Sequence, residues 1–236
     1  MCGRFALTGS LDWLFRLLFL EPPPVFADRY NIAPTQPVFA FLYDIDRNCL
    51  KYDFLSWGLV PPFVKDPGEI STLINARAET LREKPAFKNA FRYRRCILPA
   101  SGFYEWKRAG ATAEPFYFSA AADAGQLCLA GIWEIWHGEG GEQMNSCAII
   151  TVPANRTVQK VHHRMPAIIA PEKLSVWLNP ETGPDDLSKL LRPASDELLN
   201  CVRVGSYVNS PRNEGLECIA PELPKGPFQP DLFSEY

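Results

Sequence analysis

The chain has 236 residues, 47% of them hydrophobic and 22% charged, with a formal net charge of −3. That is enough apolar material for one sizeable core, and it excludes both disorder as the main state and a globally polybasic nucleic-acid binder. The longest strongly apolar stretch, Leu11 to Leu20, contains Asp12 and Arg16 and stops at Glu21-Pro22-Pro23-Pro24, far short of the roughly 20 apolar residues that span a bilayer.

The segment Met1-Cys2-Gly3-Arg4-Phe5 runs into Thr8-Gly9-Ser10 rather than an apolar run, so no signal peptide and no membrane partner are expected. The predicted elements then follow in chain order. A helix capped by Ser10 reaches about Leu20, and strands cover Pro37 to Tyr43 and Leu50 to Trp57. A helix over Glu79 to Lys84 precedes strands at Arg95 to Pro99, Pro115 to Phe118, Leu127 to Ile135, Cys147 to Val152 and Ala167 to Ala170. Helices at Pro171 to Leu178 and Asp185 to Leu191 and a strand at Val202 to Val208 complete the series. Strands are grouped and helices scattered between them, which predicts an α+β fold: one β-rich domain with a curved, barrel-like, mainly antiparallel sheet and a few peripheral helices. The domain is expected over residues 2–220, and four of the 22 prolines fall in a C-terminal tail over residues 221–236.

Seven cysteines, at positions 2, 49, 96, 128, 147, 201 and 218, are odd in number and form no Cys-x-x-Cys pair. Neither a disulfide framework nor a zinc ribbon is predicted, and three histidines offer little for a metal site, so no metal is expected and the setting reads as the reducing cytoplasm. Charge is uneven. Residues 71–110 carry nine Lys/Arg against three Glu, whereas residues 171–236 carry six against eleven Asp/Glu. A polyanion would therefore dock on one face only, unless the basic run is simply a solvated surface.

Cys2 is the most distinctive chemical feature. Removal of Met1 would expose a free α-amine beside a thiol. Near pH 7.5 roughly a third of an α-amine is neutral, against about a thousandth of a lysine, which favours an imine-forming nucleophile at the chain start. Such an amine condenses with an aldehyde, and the thiol can close on the imine carbon to give a thiazolidine. The chemistry needs a proton donor, a proton shuttle and donors that hold the aldehyde oxygen. Polar residues embedded in apolar sequence are the candidates: Glu105 in Phe-Tyr-Glu-Trp, Asn75 in Leu-Ile-Asn-Ala and His162 in Val-His-His-Arg. Each taken singly also fits a structural role.

Eight segments in order carry a resemblance: M-C-G-R-F (1–5), N-I-A-P-T (31–35), S-W-G-L-V-P (56–61), N-A-R-A-E-T (75–80), R-R-C-I-L-P-A-S-G-F-Y-E-W (94–106), A-G-I-W-E (130–134), T-x-x-A-N (151–155) and H-H-R-M-P-A-I-I (162–169). Together they resemble the SOS-response-associated peptidase domain family over about residues 2–220. That family includes the eukaryotic hydroxymethylcytosine-binding protein and bacterial counterparts that link covalently to abasic sites in single-stranded DNA. The resemblance implies Cys2 as nucleophile, Asn75 as the group orienting it and the sugar oxygen, Glu105 as acid/base, and His162 as the residue assisting ring opening and proton transfer. It implies Arg4, Arg77 and Arg164 as phosphate and sugar ligands, with Trp57, Trp106 and Thr151 lining the strand path. It also implies a DNA-repair role without a cofactor, single-stranded DNA with abasic sites as partner, and a monomer. Weak lyase activity and self-processing peptidase activity accompany it. A thiol peptidase using Cys2, or a non-catalytic binder of modified DNA, are the competing readings.

Two positions depart from the family pattern. Phe63 stands where many members have Trp, and His163 stands where many have Asp, so His162 is assigned over His163 by its spacing to Arg164-Met165-Pro166. In the tail, Gln229, Leu232 and Phe233 resemble the bacterial sliding-clamp pentapeptide Gln-x-x-Leu-Phe. That implies a clamp partner, a bacterial source and a nucleoid-associated location.

Overall fold

Leu127 to Trp136 and Cys147 to Val152 are apolar on almost every residue, and strands apolar on both faces must be covered on both. In the computed structural model, which describes residues 2–23, 27–110, 112–121 and 125–222, these segments wall a barrel. Among the described residues the strands are β1 (Phe5–Leu7), β2 (Arg29–Ile32), β3 (Pro37–Asp44), β4 (Cys49–Trp57), β5 (Asn75–Arg77), β6 (Arg95–Ala100), β7 (Gly102–Ala109), β8 (Thr112–Ala120), β9 (Leu127–His137), β10 (Gln143–Pro153), β11 (Arg164–Pro166) and β12 (Leu199–Arg203). The α-helices are α1 (Asp12–Leu17), α2 (Pro85–Tyr93), α3 (Arg156–Gln159), α4 (Leu174–Leu178) and α5 (Pro184–Leu190).

Strands β10, β4, β3, β6 and β9 pair in that order, and β9 pairs back with β10, which closes the barrel. The ladders are antiparallel except where β10 runs parallel to β4 and then to β5 along one edge. The other edge of β10 takes β9 and then β11. A second antiparallel sheet runs β12-β8-β7-β1-β2. The chain crosses from β6 into this sheet through Ser101-Gly102, and only glycine fits: a Cβ on Gly102 would lie 2.5 Å from the Phe118 carbonyl oxygen and 2.5 Å from the Tyr117 ring. The core is rich in fully buried aromatic side chains, among them Phe5, Phe41, Trp57, Phe91, Phe103, Phe118 and Trp177. The α+β, barrel-like and mainly antiparallel expectation holds.

Element by element, several boundaries move. The helix expected over Glu79 to Lys84 is a 3-10 turn at Ala78–Thr80, and the α-helix proper is α2. Pro85 starts it, and Phe87, Ala90 and Phe91 form its buried face at helical spacing. The strand expected at Ala167 to Ala170 is instead β11, ending at Pro166, with Ile168 only bridging Leu129. The strand expected at Val202 to Val208 begins earlier, as β12, and Ser206–Asn209 is a 3-10 turn. Val204 bridges Pro221 and the Glu222 amide donates to the Arg203 carbonyl at 3.0 Å, so the chain stays on the domain to residue 222. Gln229, Leu232 and Phe233 lie outside the described residues. Among the described residues no helix is long and apolar enough to cross a membrane.

Candidate functional site

The site begins with the short strand β1, held between two longer neighbours. Phe5 pairs with Ile32 on one side and with Phe103 on the other, and the Tyr104 amide donates to the Arg4 carbonyl at 2.9 Å. Past Arg4 the chain reaches Cys2, whose thiol is close enough to Glu105 to feel its charge. Cys2 is fully buried, with its thiol 3.9 Å from the Arg4 carbonyl. Asn75, the first residue of β5, donates from Nδ2 to the Cys2 carbonyl at 2.8 Å. The parallel ladder with β10 fixes Asn75 opposite Ile149. Its Oδ1 is buried without a hydrogen-bond partner among the described residues, which leaves one acceptor open to a ligand.

Glu105 lies on β7 and is 3% exposed. His162 follows α3, which Asn155 caps by accepting from the Val158 amide at 2.9 Å. The imidazole Nδ1 lies 3.0 Å from the Arg164 amide nitrogen, 3.1 Å from the Arg164 carbonyl oxygen and 3.8 Å from Glu105 Oε1. His163 is exposed, with its ring centroid 4.4 Å from that of His162.

Burial drives the titration of all three groups in one sense. It raises the Cys2 thiol far above its ordinary value, and the Glu105 carboxylate nearby raises it further. It raises the Glu105 carboxyl and lowers the His162 imidazole. At each of the three groups burial works toward the neutral form. Such a set can donate and accept protons around an addition to a carbonyl, and it works against a resting thiolate.

The remaining sequence candidates divide into surface and interior. Arg77 is exposed at the end of β5. Arg4 sits over the half-buried Trp106 ring at 5.6 Å, while its Nη1 donates to Asn31 Oδ1 at 2.6 Å and to the Val208 carbonyl at 2.8 Å. Trp106 Nε1 donates to Asn209 at 2.8 Å. Trp57, Thr151 and Arg164 are internal. Trp57 is 0% exposed, packs edge-on to Phe5 and donates from Nε1 to the Ile74 carbonyl at 2.9 Å. Arg164 is buried and engaged with Glu79 and with the carbonyl and hydroxyl of Thr151. Phe63, at the position of the family's tryptophan, is 64% exposed.

Sequence reasoning missed Asn31 and Glu79. Asn31 is fully buried and donates to the Val208, Ser210 and Asn213 carbonyls at 3.3, 2.9 and 2.8 Å, tying Arg4 to the 206–213 segment. Both residues stand inside quoted motifs, at positions where a polar side chain follows or precedes apolar ones.

A family model described as SOS response associated peptidase (SRAP) matches residues 1–211. The chain is 38% identical over 227 residues to abasic site processing protein YoaM of Bacillus subtilis (strain 168), covering 94% of this chain and 99% of that one. It is 33% identical over 271 residues to abasic site processing protein HMCES of Pongo abelii, covering 94% and 76% respectively. A solved structure of a Bacteroides thetaiotaomicron protein matches with a TM-score of 0.73 at 28% identity, over 82% of this chain and 85% of that one.

Proposed function

The chain belongs to the SOS response associated peptidase family, and from that premise we propose that it processes abasic sites in DNA by capturing the ring-opened aldehyde covalently at Cys2. With Met1 removed, the Cys2 amine attacks the aldehyde carbon and the carbinolamine loses water to give an imine. The thiol sulfur then adds to the imine carbon while its proton passes to the nitrogen, closing a thiazolidine. Glu105 supplies the proton that expels water, His162 assists opening of the sugar ring, and Asn75 orients Cys2 and the sugar oxygen.

The observation that carries this reading is the convergence on Cys2 of Asn75, 2.8 Å from its carbonyl, and of Glu105, whose charge acts on the thiol and whose Oε1 lies 3.8 Å from His162. The raised thiol favours amine-first chemistry, because a neutral thiol is a poor opening nucleophile but adds readily once an imine is present. The same property counts against a thiol peptidase, which needs a thiolate at the start. Elimination from the imine stage would give weak lyase activity. Arg4, Arg77 and Trp106 contact the strand from the surface, and the protein acts as a monomer on single-stranded DNA in the cytoplasm, at the nucleoid.

The test is the mass of the chain after mixing with single-stranded DNA carrying one abasic site. A stable adduct that vanishes in Cys2→Ala, and when Met1 is blocked from removal, is the expected result. Saturable binding with no adduct would favour a non-catalytic binder. Gln229, Leu232 and Phe233 form a clamp-binding tail in the same reading. A peptide of residues 222–236 is expected to bind a bacterial sliding clamp in the micromolar range, and equal binding after Leu232→Ala with Phe233→Ala removes that partner.

A further inference from the structure

The basic surplus of residues 71–110 is only partly absorbed by the site. Arg94 turns to Glu134 at 3.0 Å. Arg95, 2% exposed, gives its guanidinium to the backbone carbonyls of Phe91, Arg92, Trp177 and Asn179. Lys107 and Arg108 leave on β7. What remains is one exposed run, Arg77, Arg82, Lys84, Lys88 and Arg92, leading from the strand that carries Asn75 out along α2.

Lys84, Lys88 and Arg92 recur every fourth residue, so they lie along one side of the helix about 6 Å apart. Two adjoining hollows flank Arg92. One, of about 260 Å³, is lined by Arg82, Lys88, Phe91, Arg92 and Pro184. The other, of about 340 Å³, includes Tyr43, Asn48, Arg92, Tyr93, Glu181 and Pro184 in its lining. Arg92 is held in place: its Nε donates to the Tyr93 hydroxyl at 2.7 Å and its guanidinium carbon lies 5.3 Å from that ring, which is itself 45% exposed. Arg82 is engaged by Asp185 at 2.7 Å, which leaves Lys88 and Arg92 as the main available cations.

We infer that this groove along α2 binds the phosphate backbone of nucleic acid flanking the lesion, so that the strand held at Cys2 continues past Lys88 and Arg92. The inference rests on the abasic-site reading above. Charge complementarity and continuity with Arg77 select a polyanion, and tyrosine rings beside a guanidinium select one with bases to stack rather than an acidic peptide. The ladder partners Asn75–Ile149, Ile149–Gly131 and Gly131–Cys96 separate the start of β6 from Asn75 by three strand spacings. At about 4.8 Å each this is about 14 Å around the barrel, so only DNA extending several nucleotides from the lesion reaches the groove.

The experiment compares the full chain with Lys88→Ala/Arg92→Ala on intact single strands of about 8 and about 30 nucleotides, by anisotropy over a salt series. The ratio of long-strand to short-strand affinity is expected to fall about 20-fold near 0.1 M salt, with the long-strand log-log slope smaller by about 1.4, since each single-strand phosphate contact contributes about 0.7. An unchanged ratio overturns the proposal, whether both lengths keep their affinity or lose it equally. Long-strand affinity retained in Lys88→Arg, which keeps the charge, supports it. Adduct formation on the short abasic strand is read separately: its absence in the unmodified protein would fault the capture chemistry, while a length ratio that still depends on Lys88 and Arg92 would uphold the groove.

Discussion

Arg164 closes two terminal nitrogens on Glu79, at 2.6 and 3.0 Å, and so ties the turn after β5 to β11. The same guanidinium reaches the Thr151 carbonyl on β10 at 2.5 Å, which makes it a brace across the three strands whose ends bear Asn75 and lead from His162.

Glu79→Gln is therefore expected to lower stability by about 1–2 kcal/mol, less than for a fully buried pair because Glu79 is half exposed. Arg164 holds the Glu79 carboxyl below its usual range. A group whose folded value is depressed contributes stability above its unfolded value and loses it as pH falls through the folded one. The difference between the proteins in thermal midpoint should accordingly shrink on acidification below the ordinary carboxylate range. A gap that is constant with pH would show that the ion pair carries no stability.

Glu105→Gln is expected to slow adduct formation by about 10²-fold or more, with intact-strand affinity nearly unchanged. Burial raises the Glu105 carboxyl, so its contribution to stability is greatest below the unfolded value and declines as pH rises through the folded one. The difference in thermal midpoint between the glutamine variant and the parent should thus move in the variant's favour as pH rises, while the variant reacts more slowly. Equal loss of binding and rate would mark Glu105 as structural.

Arg77→Ala is expected to reduce the salt slope for single-strand binding by about 0.7 without moving the thermal midpoint, because its side chain is exposed. Arg4→Ala should lower both, since Arg4 also binds Asn31 and Val208. An unchanged slope in both variants would remove them from the strand path.

Trp57→Ala is expected to cost about 3–5 kcal/mol of stability as a core truncation. Trp106→Ala should instead weaken strand binding by about 1–3 kcal/mol for one lost stacked base. Chemical denaturation and anisotropy on both variants separate the two roles.

The fold class was legible because β3, β6, β9 and β10 are largely apolar runs bounded by turn residues and β4 mixes aromatic and polar positions in the same manner as a half-covered strand, and tertiary packing only extended their ends. The short strands were not. β1, β5 and β11 are three residues each and owe their existence to partners far along the chain, Phe103 for Phe5 and Ile149 for Asn75. Asn75, Glu105 and His162 could be singled out because burying a polar side chain in apolar sequence is costly without a purpose. The same logic does not distinguish Trp57 from Trp106, since an indole in an apolar motif reads alike whether it packs inward against Phe5 or outward under Arg4. Nor does spacing reveal that Arg164 is taken up by Glu79, because ion pairs between distant segments leave no local pattern.

The long sequence separation of Cys2 from its partners also orders events during synthesis. Cys2 leaves the ribosome 160 positions ahead of His162, about ten seconds or more at ordinary elongation rates. Until β7 and the segment after α3 have been made, the N-terminal arm has neither Glu105 nor His162 beside it. On the capture chemistry proposed above, the aminothiol would acquire its proton donors only when the domain is nearly complete, and a truncated chain would carry the proposed nucleophile without them.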